Sequence, residues 1–339
     1  MISVVVPVFN EQDTLSELYR RLIEVLEPEE DFELVFVDDG STDRSRGILL
    51  ALHERDPRVV VLGLSRNFGH QLALTAGVDH AHGDAIVIMD ADLQDPPEVI
   101  PALLAQWRAG FDVVYGVREQ RRGESVFKRG TAWAFYRLMR ALTPLDLPVD
   151  TGDFRLLSRR AADALVRLRE QHRFVRGMAR WVGFRQAAVT YQRDPRFAGR
   201  STYSTGRMAA LAFDAIFAFS KVPLRLATLL GALTALACVG YAGWAVWVKL
   251  TADQPLLGWA STIVAILLVG SVQLVCLGII GEYIGRIHDE VRARPLYLVG
   301  DVARKDVKNL ETSPIREAST PRTEEPGPAP ARPRSEQGG

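Results

Sequence analysis

Carboxylate side chains follow two apolar segments of the sequence at the points where buried strands would end. Asp90 and Asp92 come directly after the apolar run 85–89. Asp38 and Asp39 come directly after a second such run. Two carboxylates beyond a buried strand are costly unless a cation lies between them, because a buried charge needs a partner. Mg²⁺ and Mn²⁺ take oxygen ligands and commonly complete their coordination with substrate phosphates. The pattern therefore predicts a metal–nucleotide site with Asp90 and Asp92 as the metal ligands.

Short apolar runs alternate with helical patterns before these carboxylates and between them. The predicted strands are 2–6, 34–37, 59–62, 85–89 and 112–115, and the clearest predicted helix is 14–26. This alternation is typical of an α/β protein with a doubly wound sheet of buried strands. Ligands of such sheets bind beyond the carboxyl ends of the strands. The polar clusters after the first, second and fourth strands are therefore the candidates for chemistry. Asp38 and Asp43 have a second interpretation, since they could simply cap the helix that follows them.

The net charge of the chain is zero, but the charges are unevenly divided. Residues 1–117 hold 8 Lys/Arg and 21 Asp/Glu, whereas residues 118–223 hold 21 and 9. An acidic first part suits a metal–nucleotide site, and a basic second part suits phosphate groups or an anionic membrane surface. Mutual attraction of the two parts is the alternative. The overall balance argues against nucleic acid as a partner. With two cysteines, the chain is neither a disulfide scaffold nor a Cys-based zinc protein.

Two long uncharged segments, 226–248 and 254–281, lie late in the sequence. Each exceeds the roughly 20 residues that cross a bilayer, and the connector between them is short. We therefore expect a transmembrane hairpin. Basic residues concentrate beyond its two outer ends, which predicts a multi-pass protein with both termini and the soluble domain in the cytoplasm. The first residues lack the basic segment and cleavage site of a signal peptide, which agrees with that orientation.

Several motifs together resemble family 2 glycosyltransferases of the GT-A fold. They are PVFNE (7–11), VDDGSTD (37–43), DADLQDPPE (90–98), LSRNFGHQLALTAGVDHAHGD (64–84), TGDFRLLSR (151–159) and GEYIGRIHDEVRARPLY (281–297). With the two apolar segments, the likeness covers about residues 2–300. It is to the polyprenyl-phosphate glycosyltransferases, the relatives of bactoprenol glucosyltransferase and dolichyl-phosphate mannosyltransferase. The resemblance implies a GT-A, Rossmann-like doubly wound sheet followed by a two-helix transmembrane hairpin at the C-terminal end.

The resemblance also implies a role for each matched residue. The nucleotide sugar would be bound by Pro7, Phe9, Glu11, Asp39, Arg66, Asp90 and Gln94. The acceptor phosphate would be bound by Arg118, Lys128 and Arg129. The catalytic residues would be Asp92 and Asp153, with Asp153 acting as a base or only orienting a reactant. Arg155 could pair with a nearby carboxylate, and His70, His80 and His82 are interpreted as surface or loop residues because they lack metal-ligand spacing.

The implied reaction transfers a sugar from a nucleotide sugar, with UDP-glucose the leading donor, to undecaprenyl phosphate on the cytoplasmic face of the bacterial inner membrane. The lipid phosphate would attack opposite the leaving diphosphate and invert the anomeric centre. GDP-mannose with the same acceptor class is the first alternative. A polysaccharide synthase would need more spans and a Gln-x-x-Arg-Trp motif, whereas Gly177 stands at the Gln position here. A non-catalytic nucleotide-sugar sensor is the third alternative.

The motifs and segments divide the chain into five expected parts. They are a cytoplasmic GT-A domain at 1–205, an amphipathic juxtamembrane helix at 206–223, two transmembrane helices at 224–284, a cytoplasmic segment at 285–300 and a tail at 301–339. The tail is rich in proline and charge and is expected to be disordered. The juxtamembrane helix could instead pack on the soluble domain. Association between copies of the hairpin would give a homo-oligomer.

Overall fold

The computed structural model describes residues 1–29, 31–119, 151–193, 220–251 and 259–305. The strands are β1 (Ile2–Val8), β2 (Phe32–Asp38), β3 (Val59–Leu64), β4 (Ala85–Ile88), β5 (Val113–Arg118), β6 (Thr151–Ser158), β7 (Gln186–Tyr191) and β8 (Val299–Ala303). The helices are α1 (Leu15–Leu26), α2 (Ser45–Arg55), α3 (His70–His80), α4 (Ile100–Arg108), α5 (Arg159–Arg167), α6 (Val175–Trp181), α7 (Val222–Thr251) and α8 (Trp259–Val291), with a 3₁₀ turn at Pro97–Val99.

One mixed sheet carries the strands in the order β7-β5-β6-β4-β1-β2-β3-β8. The pairs β1–β2, β1–β4, β2–β3 and β5–β7 are parallel. β6 is antiparallel to β4 and β5, and β8 is antiparallel to β3. The doubly wound α/β fold is thus confirmed, and the five strands that the sequence predicts run in one direction. The two reversed strands are additions that the apolar pattern does not predict.

The central strands are buried on both faces, which explains their almost continuous apolar sequences. One face of the sheet packs against α1, α2 and α4, with Leu18, Leu49 and Leu104 in the core. The other face packs against α3, α5 and α6, with Leu74 and Met178 in the core. Because helices pack on both faces of the sheet, the strand ends are held in place, and so are the first residues of the loops that follow the strands.

One edge of the sheet brings together the ends of strands that are distant in sequence. The carboxyl ends of β1, β2, β4 and β5 point to this edge, because these strands are parallel. β6 runs the other way, so its first residues reach the same edge. Ile88 pairs with Arg155, which places Asp153 level with the turn after β4. We call this side of the sheet the carboxyl edge.

Helices α7 and α8 are long and apolar enough to cross a membrane. The candidate spans are Val222–Val248 and Thr262–Val291. Most large apolar side chains on both helices are exposed to their surroundings, as for Leu236 and Leu274, so no protein core accounts for their composition. The helices pair with each other, and the Tyr283 hydroxyl donates to the Ser220 carbonyl at 2.6 Å beside the start of α7. The expected helical hairpin is therefore present.

The boundary of the expected disordered tail at residue 301 is wrong. β8 continues to Ala303, and the Arg304 guanidinium donates to the His80 carbonyl at 2.8 Å. β8 was missed because VGDVA is short and half polar, and it is stabilised by pairing with β3 rather than by its own apolar pattern. The rest of the tail, the juxtamembrane segment 206–219, and both Lys128 and Arg129 lie outside the described residues.

Candidate active site

Asp90 and Asp92 lie in the turn that follows β4 at the carboxyl edge. The Oδ1 atom of Asp90 is buried and has no hydrogen-bond partner within the described ranges. It lies 3.5 Å from Nε2 of His70. Burial, together with the nearby charge of Asp153, raises the pKa of Asp90 to about 6. In the same turn, Asp92 Oδ1 accepts a hydrogen bond from the Gln94 amide at 3.1 Å. The turn is therefore strongly acidic, and one buried carboxylate oxygen in it has no hydrogen bond among the described residues.

These two carboxylates fit a divalent cation. A buried carboxylate oxygen without a hydrogen bond is what a hard metal ion would satisfy, and oxygen is the donor that Mg²⁺ and Mn²⁺ prefer. Among the described residues, no group of three or more His, Cys, Asp or Glu side chains is arranged to hold a metal. A metal here would therefore depend on oxygens of a bound substrate to complete its coordination, as is usual for Mg²⁺ in phosphate chemistry.

Asp153, near the start of β6, is almost completely buried and held by several donors. Arg176 donates two hydrogen bonds to it, from Nε to Oδ1 at 2.8 Å and from Nη2 to Oδ2 at 3.2 Å. The Gln71 amide donates to Oδ2 at 3.3 Å, and the buried guanidinium of Arg155 lies 3.9 Å away. Although burial opposes ionisation, Arg176, His70 and Arg155 together hold the pKa of Asp153 well below its usual range. The carboxylate therefore stays charged.

His70 is a site residue that the sequence interpretation missed. It is the first residue of α3, and its Nε2 lies 3.3 Å from Asp153 Oδ2 as well as 3.5 Å from Asp90 Oδ1. Burial opposes protonation, but the two carboxylates outweigh it and raise the pKa of His70 to about 9. His70 is exposed at the surface, as the sequence interpretation expects, but that interpretation did not place it in contact with the site carboxylates. Its partners come from the turn after β4 and from β6, which no local spacing could indicate.

The residues expected around the nucleotide line the neighbouring part of the carboxyl edge. Pro7 is the last but one residue of β1 and pairs with Val37, and the Phe9 ring is 46% exposed just beyond the strand. Glu11 donates its amide to the Ser45 hydroxyl at 2.9 Å, at the start of α2. The first-strand motif is thereby fastened to the segment after β2.

Asp39 is buried and organises the loop after β3. Its oxygens accept hydrogen bonds from the backbone amides of Phe68 at 2.7 Å and Gly69 at 2.9 Å. The same loop carries Arg66, whose guanidinium stacks 4.1 Å from the centroid of the Phe68 ring. Gly40 permits this packing, because a Cβ there would lie 2.8 Å from the Arg66 carbonyl carbon. Asp39 and Arg66 are therefore brought together at one side of the edge.

The two carboxylates with a proposed capping role both bind backbone amides. Asp43 accepts from the Ser45 amide at 2.9 Å, where α2 begins, as the capping interpretation predicts. Asp38 accepts from the Ser41 amide at 3.0 Å, inside the loop rather than at the helix. Both side chains shape the turn after β2.

Arg118 ends β5 and lies beside a fully buried carboxylate. Its Nη2 is 3.5 Å from both oxygens of Asp95, and its Nε donates to the Tyr191 hydroxyl at 3.3 Å. Tyr191 in turn donates to Asp95 at 2.5 Å, and Arg193 lies 3.6 Å from the same carboxylate. The sequence interpretation missed Asp95, Tyr191 and Arg193, although Asp95 lies within the recognised DADLQDPPE motif.

Comparison with known proteins identifies the family of this chain. The family model for glycosyl transferase family 2 matches residues 3–166, and a model for the GtrB C-terminal hairpin matches residues 222–287. The uncharacterized glycosyltransferase YkcC of Bacillus subtilis is 50% identical over 88% of this chain and 92% of its own length. This chain belongs to the family 2 glycosyltransferases. It is therefore an enzyme that transfers a sugar, and the hairpin indicates association with a membrane.

Two further relatives and one solved structure are also similar to this chain. The bactoprenol glucosyl transferase of Shigella phage SfII is 42% identical over 88% of this chain and 97% of its own length. A homologue named prophage bactoprenol glucosyl transferase in Escherichia coli is 39% identical over 89% and 99%. Glucosyl-3-phosphoglycerate synthase from Mycobacterium tuberculosis, solved with Mn²⁺ and uridine-diphosphate-glucose, matches 64% of this chain and 77% of its own, with 20% identity and a TM-score of 0.42.

Proposed function

We propose that this enzyme transfers a sugar from a nucleotide sugar to a polyprenyl phosphate on the cytoplasmic face of a bacterial inner membrane. The observation that carries the proposal is the acidic turn of Asp90 and Asp92 beside the Asp153–Arg176 pair at the carboxyl edge. Relatives named bactoprenol glucosyl transferases, which match both the soluble domain and the hairpin, support a polyprenyl-phosphate acceptor and transfer of a glucosyl group. We take undecaprenyl phosphate and UDP-glucose as the leading acceptor and donor. GDP-mannose remains the alternative donor.

The donor would lie across the carboxyl ends of β1, β2 and β4. The exposed ring of Phe9 offers an apolar wall to the nucleotide, and Asp39 fixes the loop that carries Arg66. Asp90 and Asp92 would hold a divalent ion, with Gln94 in the same turn. Such an ion neutralises the charge that develops on the departing diphosphate.

The acceptor phosphate needs little activation. The second pKa of a phosphate monoester is about 6, so near neutrality much of it is already a dianion. The harder task is to hold it near a diphosphate of the same sign. Arginine can do this because its planar guanidinium binds phosphate through two hydrogen bonds. Arg118 stands at the end of β5, on the opposite side of β6 from the Asp90 turn, and is assigned to this role.

Asp153 would orient groups rather than accept a proton. Its low pKa and its contacts with Arg176, Gln71 and His70 make it a weak base. A carboxylate held in this way fixes the position of Arg176, whose side chain is partly exposed at the same edge. Direct attack by the lipid phosphate would then invert the anomeric centre without a general base.

The test is a panel of nucleotide sugars offered with undecaprenyl phosphate to the purified protein, with lipid products separated by chromatography. We expect a glucosyl lipid from UDP-glucose, and loss of product with Asp92→Asn or with EDTA. Asp163→Asn is the matched control, because this exposed carboxylate on α5 lies away from the carboxyl edge. Binding of a nucleotide sugar without turnover would favour the sensor interpretation, and full activity in metal-free buffer would contradict the metal assignment.

A further inference from the structure

The strand that follows the second membrane helix ends beside the nucleotide loops. In β8, Asp301 lies opposite Gly63 of β3, and its carboxylate accepts a hydrogen bond from Arg46 Nη2 at 2.6 Å. Nη1 of Arg46 lies 3.9 Å from Oδ2 of Asp38. That oxygen is buried and makes no hydrogen bond in the described part of the chain. Arg46 thus stands between a carboxylate of β2 and a carboxylate of β8.

Asp38 connects this arginine to both loops that would hold the nucleotide. Its other oxygen accepts from the Ser41 amide at 3.0 Å. The Ser41 hydroxyl accepts from the Asn10 amide at 3.1 Å, and the Asn10 side chain accepts from the Thr42 amide at 2.8 Å. Asn10 has a φ of 57°, a left-handed conformation that needs such local hydrogen bonds to be stable. The loop after β1 and the loop after β2 are therefore one hydrogen-bonded unit that begins at Asp38.

The approach of β8 to this unit requires a glycine. A Cβ at Gly63 would lie 2.3 Å from Asp301 Oδ1 and 3.0 Å from Arg46 Nη1, so any side chain there would displace the pair. β8 is also fastened on both sides of Asp301. The Tyr297 hydroxyl donates to Asp79 at 2.7 Å, and Arg304 lies 3.6 Å from Glu33. These two contacts fasten the ends of the segment, whereas the pairing of β8 with β3 is what places Asp301 opposite Gly63.

The contribution of this arrangement to stability comes from the buried Asp38 rather than from the exposed Arg46–Asp301 ion pair. Arg46 and Asp301 are each 43% exposed, and an exposed pair adds little to stability. Asp38 is 1% exposed, and a buried carboxylate needs a nearby positive charge. Within the described residues, Arg46 is the cation within 4 Å of Asp38, and Asp301 decides where its guanidinium rests. A small shift of Arg46 would change the charge compensation of Asp38 and thereby the positions of the loops that are hydrogen-bonded to it.

We propose that β8 is part of the nucleotide site, with Asp301 and Arg46 as positioning residues that hold the two loops through Asp38. The chain that leaves the membrane after α8 thereby sets affinity for the nucleotide sugar. This inference rests on the proposed function, because it assigns the loops to a nucleotide. It separates the segment up to Lys305, which the site needs, from the tail beyond it, which the site does not.

The test measures the dissociation constant for UDP-glucose and GDP-mannose, and the KM for undecaprenyl phosphate, with the full-length protein in detergent. We expect Asp301→Ala and Gly63→Ala to weaken nucleotide-sugar binding about threefold to tenfold, in line with loss of a charged hydrogen bond that is partly screened by solvent. Asp301→Asn keeps an oxygen for Arg46 and should lose less. The KM for the lipid should stay unchanged.

Three controls distinguish positioning from general damage. Gly47→Ala, next to Arg46 on α2, introduces a Cβ with nothing within 4 Å and should bind like the wild type. Tyr297→Phe removes another anchor of the same segment but leaves Asp301, so its nucleotide affinity should also be unchanged. Truncation after Lys308 should leave affinity and activity intact.

The outcomes separate this inference from the proposed function. If the wild type binds a nucleotide sugar but Asp301→Ala and Gly63→Ala bind it equally well, β8 is not part of the site. Equal losses with Tyr297→Phe, or a matching rise in the KM for the lipid, would show only that the fold is weakened and would overturn the inference. A wild type that binds no nucleotide sugar overturns the proposed function and this inference together.

Discussion

Replacement of Arg176 tests whether Asp153 acts by orienting its partners. Arg176 makes two hydrogen bonds to Asp153 and a third, at 3.2 Å, to the Thr151 carbonyl. A hydrogen bond to a charged group contributes about 1.5–3 kcal/mol. Arg176→Ala leaves Asp153 with Gln71 and His70, so the charge keeps some compensation. We therefore expect the loss of about one charged hydrogen bond, which is roughly a ten- to hundredfold fall in transfer rate.

The assay is steady-state transfer to undecaprenyl phosphate, with thermal unfolding followed in parallel. The transfer rate of Arg176→Lys should fall between those of the wild type and Arg176→Ala, because lysine keeps the charge but cannot donate both hydrogen bonds in the geometry of a guanidinium. Arg180→Ala is the matched control, since Arg180 lies on the same helix and donates to Gln186 instead. In a double-mutant cycle, Arg176→Ala should cost little more once Asp153→Asn is present. Fully additive losses would refute the idea that the two residues act as a unit.

Two further predictions concern the acceptor and the membrane. Arg118→Ala should raise the KM for the lipid about ten- to hundredfold while nucleotide-sugar binding stays constant, and Arg118→Lys should restore little; a lysine variant equal to the wild type, in detergent without anionic lipid, would contradict phosphate recognition by Arg118. In a background without Cys238 and Cys276, Gln254→Cys should react with an impermeant thiol reagent from outside the cell, whereas Ser313→Cys should not; the reverse pattern would invert the predicted topology.

The parts of the site that the sequence predicts are those encoded by local patterns. Asp90 and Asp92 follow a four-residue strand that is entirely buried, so their position at a strand end could be inferred from hydropathy alone. The same holds for the positions of Pro7 and Asp39 at the ends of β1 and β2. Parallel strands in a doubly wound sheet place such ends together, which is why the pattern predicts that these residues lie near one another.

The parts that the sequence does not predict depend on contacts between distant segments. His70 contacts carboxylates from the turn after β4 and from β6, and Asp301 contacts Arg46 from α2. β7 has an irregular burial pattern, so alternation gives only a weak strand signal there. Short, partly polar strands and long-range ion pairs leave no period in the sequence. Their positions follow only once the order of strands in the sheet is known.

The uneven division of charge along the chain is explained in part by ion pairs between the acidic and the basic parts. Some arginines of the basic part neutralise carboxylates of the acidic part within the fold, as Arg169 does for Asp79 at 2.7 Å and Arg160 does for Asp112. Arg118 differs, because its guanidinium stays 3.5 Å from Asp95, which is long for a charged hydrogen bond. A phosphate could approach that guanidinium closely without first breaking a tight pair. Tight pairing elsewhere and a loose pair at the end of β5 therefore leave positive charge available where an acceptor phosphate would need it.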